Sequence, residues 1–140
     1  MNMNGNRVDL LHEQLSYAIR GAVIEVKKNY GSGHKELLYQ RALAEELDLR
    51  SIKYEREKAI RIYSPKTKRV IGSYQPDFIV EDKIILELKA LEKMPTRMID
   101  QVYSYLRNSK YELGFLINFN SGGVDIKRVI YTNDRKNHIS

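Results

Sequence analysis

The feature that most constrains this chain is a change of hydrophobic period part-way along it. Leu11, Leu15, Ala18, Ile19, Ala22, Val23 and Val26 recur at spacings of three and four, which draws one apolar stripe along a helix. The spacing predicts that helix over Asp9 to Lys28. Asn29, Tyr30, Gly31, Ser32 and Gly33 break the pattern, and a second helix, rich in Leu, Ala and Glu, is predicted from Lys35 to Leu49. From Ile52 to Lys89 the period shortens. Ile60, Ile62 and Val70 flank Ser64-Pro65-Lys66-Thr67-Lys68, whose proline and polar residues read as a turn between strands. Asp77-Phe78-Ile79-Val80 and Ile84-Ile85-Leu86-Glu87-Leu88-Lys89, separated by Glu81-Asp82-Lys83, repeat the arrangement and predict a three-stranded meander. A third helix is expected from Thr96 to Arg107, with Pro95 near its start. Phe115-Leu116-Ile117 and Val124 to Tyr131 read as two more strands, joined across Asn118 to Gly123, and the polar tail after Tyr131 is expected to fray.

The order ααβββαββ describes an α/β unit built on a mixed sheet of about five strands. A helix between the third and fourth strands makes that pair parallel neighbours, whereas the hairpins before it are antiparallel. A length of 140 residues leaves room for one domain, with a core over about 9–131 and polar termini at 1–8 and 132–140. The absence of cysteine excludes a disulfide framework, a thiolate zinc site and a cysteine nucleophile. His12, His34 and His138 are too scattered in sequence to mark a local metal cluster. Met1 to Asn6 does not read as a secretory signal, and no apolar run approaches the roughly 18 residues of a membrane span. The expectation is a soluble, cytoplasmic protein with no membrane partner. Lys and Arg number 24 against 18 Asp and Glu, a net charge of +6, which favours a polyanionic partner such as nucleic acid.

Against this background the charged residues within apolar strands carry the chemistry. Alternate residues of a strand share a face, so Ile85, Glu87 and Lys89 point one way while Ile84, Leu86 and Leu88 point the other. A three-residue Glu81-Asp82-Lys83 loop pairs Val80 with Ile84 and brings Asp77 opposite Glu87. A two-residue Asp82-Lys83 loop pairs Asp77 with Leu88 and sends the carboxylates to different faces. Opposed residues have Cβ atoms roughly 4.5 to 5.5 Å apart, where two ionised carboxylates repel and call for a cation. Oxygen ligands suit Mg²⁺ or Mn²⁺, and Lys89 on the same face can orient water or offset charge on a phosphate. The alternative is a plain ion pair of Lys89 with Glu87 or Asp77. Two further polar residues sit on apolar stripes. Glu36 shares a helix face with Tyr39, Leu43 and Leu47, and Gln101 lies between Met98 and Tyr105 on the face expected to meet the sheet.

Pro76-Asp77 followed, after nine intervening residues, by Glu87-Leu88-Lys89 resembles the PD-(D/E)xK signature of restriction-endonuclease-like nucleases. Gly33-His34-Lys35-Glu36-Leu37-Leu38-Tyr39 resembles the motif of the GxxExxY proteins, a branch of that superfamily, with His34 where the family commonly has an aliphatic residue. Gln101 and Tyr105 match the QxxxY pattern of RecB-like nucleases. The resemblance spans about Leu11 to Tyr131 and implies a restriction-endonuclease-like central mixed sheet flanked by helices. It implies Asp77, Glu87, the Leu88 carbonyl and Glu36 around Mg²⁺ or Mn²⁺, Lys89 as catalytic lysine, and Gln101 and Tyr105 as helix-borne supports.

The function expected on these grounds is metal-dependent hydrolysis of phosphodiester bonds, with DNA the favoured substrate. Lys93 and Arg97, nearest in sequence to Lys89, are the preferred phosphate contacts. Lys66, Lys68, Arg69 and Arg107 are weaker candidates. Two alternatives stand beside this one: a noncatalytic nucleic-acid or protein adaptor on the same fold, and a junction-resolving endonuclease acting as a homodimer.

Overall fold

The computed structural model describes residues 11–136; the expected helix start at Asp9 lies outside them. Helices α1 (Glu13–Tyr30) and α2 (Glu36–Leu49) are followed by strands β1 (Tyr54–Arg56), β2 (Ile60–Tyr63), β3 (Val70–Tyr74), β4 (Phe78–Val80) and β5 (Ile84–Lys89). Helix α3 (Thr96–Arg107), strands β6 (Leu113–Asn120) and β7 (Gly123–Ile130), and a 3₁₀ turn at Asn133–Arg135 complete the chain. Five strands form one mixed sheet in the order β1-β4-β5-β6-β7, with β5 and β6 parallel across the α3 connection and the other neighbours antiparallel.

The central strands are central because their sequences tolerate no solvent face. Ile84, Ile85 and Leu86 are fully buried, as are the residues from Leu113 to Phe119, the pattern of strands covered on both sides. On one face Ile84, Leu86, Leu88, Phe115 and Ile117 join Ile19, Val23 and Val26 of α1 and Tyr39, Leu43 and Leu47 of α2. On the other face Ile79, Ile85, Leu116 and Val129 join Val102 and Leu106 of α3 and Tyr74 of β3. Each fully buried Leu, Ile or Phe contributes about 1.5–3 kcal/mol against the entropy of ordering the chain. Gly114 lets α3 close on the sheet, since a Cβ there would lie 3.1 Å from Val102 Cγ1.

The expected α/β fold with its five-stranded mixed sheet is present, and two elements differ in detail. The three-stranded meander does not form. β2 and β3 pair only with each other, as a separate two-stranded sheet, and the outer neighbour of β4 is the short strand β1. Phe78, Ile79 and Val80 are all buried and bond to strands on both sides, while Glu57 at φ +53 turns the chain out of the sheet immediately after β1. The tail also stays packed past Tyr131, through to Lys136. Thr132 is buried, and the Lys136 ammonium donates to Ser109 O at 3.0 Å, Tyr111 O at 2.7 Å and Asn133 Oδ1 at 2.6 Å. Among the described residues no helix is long and apolar enough to cross a membrane.

Candidate active site

The turn between β4 and β5 decides whether the acidic residues meet. Val80 pairs with Ile84, Ile79 with Ile85 and Phe78 with Leu86, which is the register of the three-residue loop and brings Asp77 opposite Glu87 by continuation. The turn holds two consecutive non-glycine residues in the left-handed region, Glu81 and Asp82, each at φ +52, a conformation costing about 1–2 kcal/mol per residue. Distant partners offset that cost. The Glu81 carboxylate accepts from Lys53 N–H at 2.9 Å, and Asp82 accepts from Lys110 Nζ at 2.9 Å and from Tyr111 Oη at 2.7 Å.

Asp77 lies just before β4 and reaches across to β5, where its Oδ2 accepts the Leu88 N–H at 2.7 Å. In an extended strand the N–H and C=O of one residue point to the same side, so the Leu88 carbonyl also faces the Asp77 side of the strand. Continuing the register places Pro76 opposite Leu88, and proline has no N–H to give that carbonyl. The Leu88 side chain itself is wholly buried on the opposite face, among the residues packed on α1 and α2.

Burial raises the pKa of Asp77, while the Leu88 N–H and the Lys89 charge oppose the rise. Glu87 is pushed up to about 8, chiefly by burial and then by the Asp77 charge, against the opposing influence of Lys89. Glu36, in the first turn of α2, is raised by burial first, with Lys89 lowering it and Asp77 raising it. The three carboxylates and Lys89 therefore share one electrostatic neighbourhood at the end of β5. They do not form a closed ring of ligands: among the described residues no group of three or more His, Cys, Asp or Glu side chains is gathered closely enough to hold an ion. The oxygens that the β4–β5 register turns toward one another are those of the Asp77 and Glu87 carboxylates, with the Leu88 carbonyl on the same side of β5. These are hard oxygens short of positive charge, and they suit a cation that takes one or two carboxylates and fills the rest of its shell with water and phosphate.

The GxxExxY-like segment divides into one chemical residue and a frame. Gly31 and Gly33 adopt φ of +71 and +88. The buried Tyr39 donates to Gly31 O at 2.7 Å, accepts the His34 N–H at 3.4 Å and stacks on Phe119 at 4.1 Å between ring centroids. His34 is tied to Tyr30 O through Nε2 at 2.7 Å. This frame sets where α2 begins, and hence where Glu36 stands.

Several neighbours escaped sequence reasoning. Buried Gln40 donates from Nε2 to Glu36 Oε1 at 3.4 Å and accepts at Oε1 from Arg56 Nη2 at 3.0 Å, while the Arg56 guanidinium lies 5.2 Å from the Phe78 ring centroid. Glu57 donates its N–H to Asp77 O at 3.4 Å, and its charge raises Asp77 further. Asn118, in register with Lys89, accepts from Leu91 N–H at 2.8 Å and donates to Leu91 O at 2.7 Å, which clamps the exit of β5. The only sequence signal for these residues was polarity inside an apolar stretch, and that held for Asn118 alone.

Gln101 is a correction. It is exposed, not buried against the sheet, because the stripe of α3 that meets the sheet runs through Val102 and Leu106. Its partner is Tyr105, whose hydroxyl is raised mainly by burial, further by Glu87, and lowered by Gln101. Tyr105 stacks on Tyr74 with centroids 3.8 Å apart, and Tyr74 Oη donates to Tyr105 O at 3.1 Å. Lys93, in the β5–α3 connection, and Arg97, in the first turn of α3, are exposed, and among the described residues no ion pair joins either to the acidic residues.

A family model described as the PD-(D/E)XK nuclease superfamily matches residues 13–129. The chain belongs to this superfamily. The match runs from the start of α1 to one residue before the end of β7 and includes Pro76-Asp77 and Glu87-Leu88-Lys89. No curated protein matches the chain. The solved structure of SSO0001 is similar at 18% sequence identity with a TM-score of 0.46, over 96% of this chain and 80% of that one.

Proposed function

We propose that this superfamily member is a Mg²⁺- or Mn²⁺-dependent nuclease hydrolysing phosphodiester bonds, with DNA as substrate. The observation that supports the reading is the β4–β5 register, whose continuation brings Asp77 opposite Glu87, with Lys89 on the Glu87 face. Asp77, Glu87 and the Leu88 carbonyl would hold the ion, with Glu36 of α2 as a further ligand. An ion held there would supply positive charge to the scissile phosphate and acidity to the attacking water. Lys89 holds its ammonium beside the same phosphate and stabilises the charge that builds there, a role that needs no proton loss in a neighbourhood of carboxylates. Gln101 and Tyr105 supply hydrogen bonds from α3 to the substrate side, and Lys93 and Arg97 contact flanking phosphates. The Gly33, Glu36 and Tyr39 spacing supports a GxxExxY-type member in which glycine and tyrosine position and glutamate acts.

The test is cleavage of single-stranded, duplex and branched DNA and RNA by purified protein in Mn²⁺ against EDTA. Replacing Lys89 with Ala is expected to lower cleavage by about 10²-fold or more with ion binding retained; undiminished turnover refutes the assignment. One observation favours a noncatalytic adaptor, namely that among the described residues no three acidic side chains close around a common point. Binding that survives EDTA with no substrate cut decides for that reading.

A further inference from the structure

The segment Lys58 to Pro76 carries five basic residues, Lys58, Arg61, Lys66, Lys68 and Arg69, and no acidic one. It folds into the β2–β3 sheet, which stands apart from the main sheet. Its inner side, Ile60, Ile62 and Tyr74, packs toward α3. Its outer side is open: Arg61 pairs with Ser73, and Tyr63 faces Val70 across the register shift that frees Ile71. Tyr63, Val70 and Ile71 are 51%, 50% and 69% exposed, a cost in water that needs an explanation on so small a ribbon.

The tip is built rather than loose. Ser64 Oγ accepts from Lys66 N–H and Thr67 N–H, both at 3.2 Å, and Lys68 N–H bonds Ser64 O at 2.9 Å with Lys68 at φ +64. This turn presents Lys66, Lys68 and Arg69 outward together, and none of the three, nor Arg61, forms an ion pair with a carboxylate among the described residues. The base of the ribbon is joined to the acidic site. Tyr74 stacks on Tyr105, whose hydroxyl feels Glu87, and Asp77 follows Tyr74 after Gln75 and Pro76.

We propose that the β2–β3 ribbon is a duplex-binding arm that lies along a groove of double-stranded DNA, with Arg61, Lys66, Lys68 and Arg69 on the phosphates and Tyr63 and Ile71 against the groove wall. A two-stranded ribbon has the width to enter a major groove, and unpaired cations flanking an apolar strip complement a groove bordered by phosphates. The proposal rests on the nuclease reading for its substrate class, but it concerns binding alone.

The experiment is fluorescence anisotropy of a labelled DNA duplex with the full chain in EDTA, across a salt series. Each lost phosphate contact lowers the slope of log K against log salt by about 0.9, so Lys66→Ala/Lys68→Ala/Arg69→Ala is expected to lose about 2 to 3 units of slope. Tyr63→Ser/Ile71→Ser is expected to weaken binding with the slope unchanged. All five positions are exposed, and a thermal melt verifies that the variants fold. An unchanged slope in the triple variant overturns the proposal, as does equal loss of affinity for the single strand. Wild-type protein that light scattering shows to be a dimer, and that Ile71→Arg converts to monomer, assigns the apolar strip to a second copy and also overturns it. Anisotropy in EDTA reads the arm and cleavage of the same duplex in Mn²⁺ reads the nuclease assignment, so a failure of the one and a failure of the other are separately visible.

Discussion

Glu87 offers the sharpest test of the acidic site, because its burial beside Asp77 ties stability to pH. Its pKa stands at about 8 in the folded chain against an ordinary value of 4.5. A carboxyl group with a raised folded pKa binds more protons folded than unfolded across that window, so its contribution to stability falls as pH rises from 4.5 toward 8. The slope approaches about 1.4 kcal/mol per pH unit for one proton. The Asp77 charge adds to the rise that burial causes at Glu87. Glu87→Gln mimics the protonated acid and removes this dependence. At pH 5 the variant is expected to match wild type closely; by pH 8 it is expected to exceed wild type by several kcal/mol, the slope above summed over the window. Urea unfolding in EDTA at intervals from pH 5 to 8 measures the difference. Mg²⁺ or Mn²⁺ added at pH 8 is expected to stabilise wild type, by about 2.7 kcal/mol at a concentration 100-fold above Kd, and to leave the variant nearly unmoved. A stability difference that stays flat with pH, or that grows in favour of wild type as pH rises, refutes the argument that these carboxylates are held together in a charge-deficient site.

Other positions make independent claims. Tyr39→Phe removes the bond to Gly31 O and the acceptor for His34 N–H, and is expected to cost about 0.5–1.5 kcal/mol per bond together with faster amide exchange over residues 31–36; unchanged exchange there contradicts the framing role. Gln40→Leu strands Arg56 Nη2 and Glu36 Oε1 and is expected to raise the metal concentration needed for cleavage while the salt slope of DNA binding stays constant. Lys136→Met leaves the Ser109 and Tyr111 carbonyls without their ammonium and is expected to destabilise by about 1–3 kcal/mol for each, read as a lower urea midpoint; an unshifted midpoint shows that the tail is not pinned.

The residues of the site were legible in the chain wherever local periodicity sufficed. Alternation alone puts Glu87 and Lys89 on one face of β5, a helical stripe alone puts Glu36 beside Tyr39, and a change of period alone separates helices from sheet. Whether Asp77 met Glu87 was undecided at that level, since both turn lengths satisfied the hydrophobic pattern of Asp77 to Lys89. Contacts across the fold selected one of them: Lys53 on Glu81, and Lys110 and Tyr111 on Asp82, hold two residues in a conformation they would not keep alone. Gln101 went the other way, because a stripe read from spacing leaves its own margin undefined until Gly114 admits Val102 and rotates α3 into place. Gln40, Arg56, Glu57 and Lys136 carried no usable signal, since each matters through partners that only chain folding brings near. Periodicity is a property of neighbours in sequence and survives translation into one dimension; turn geometry, charge pairing and the fate of a buried polar atom depend on neighbours in space, and only the tertiary structure supplies those.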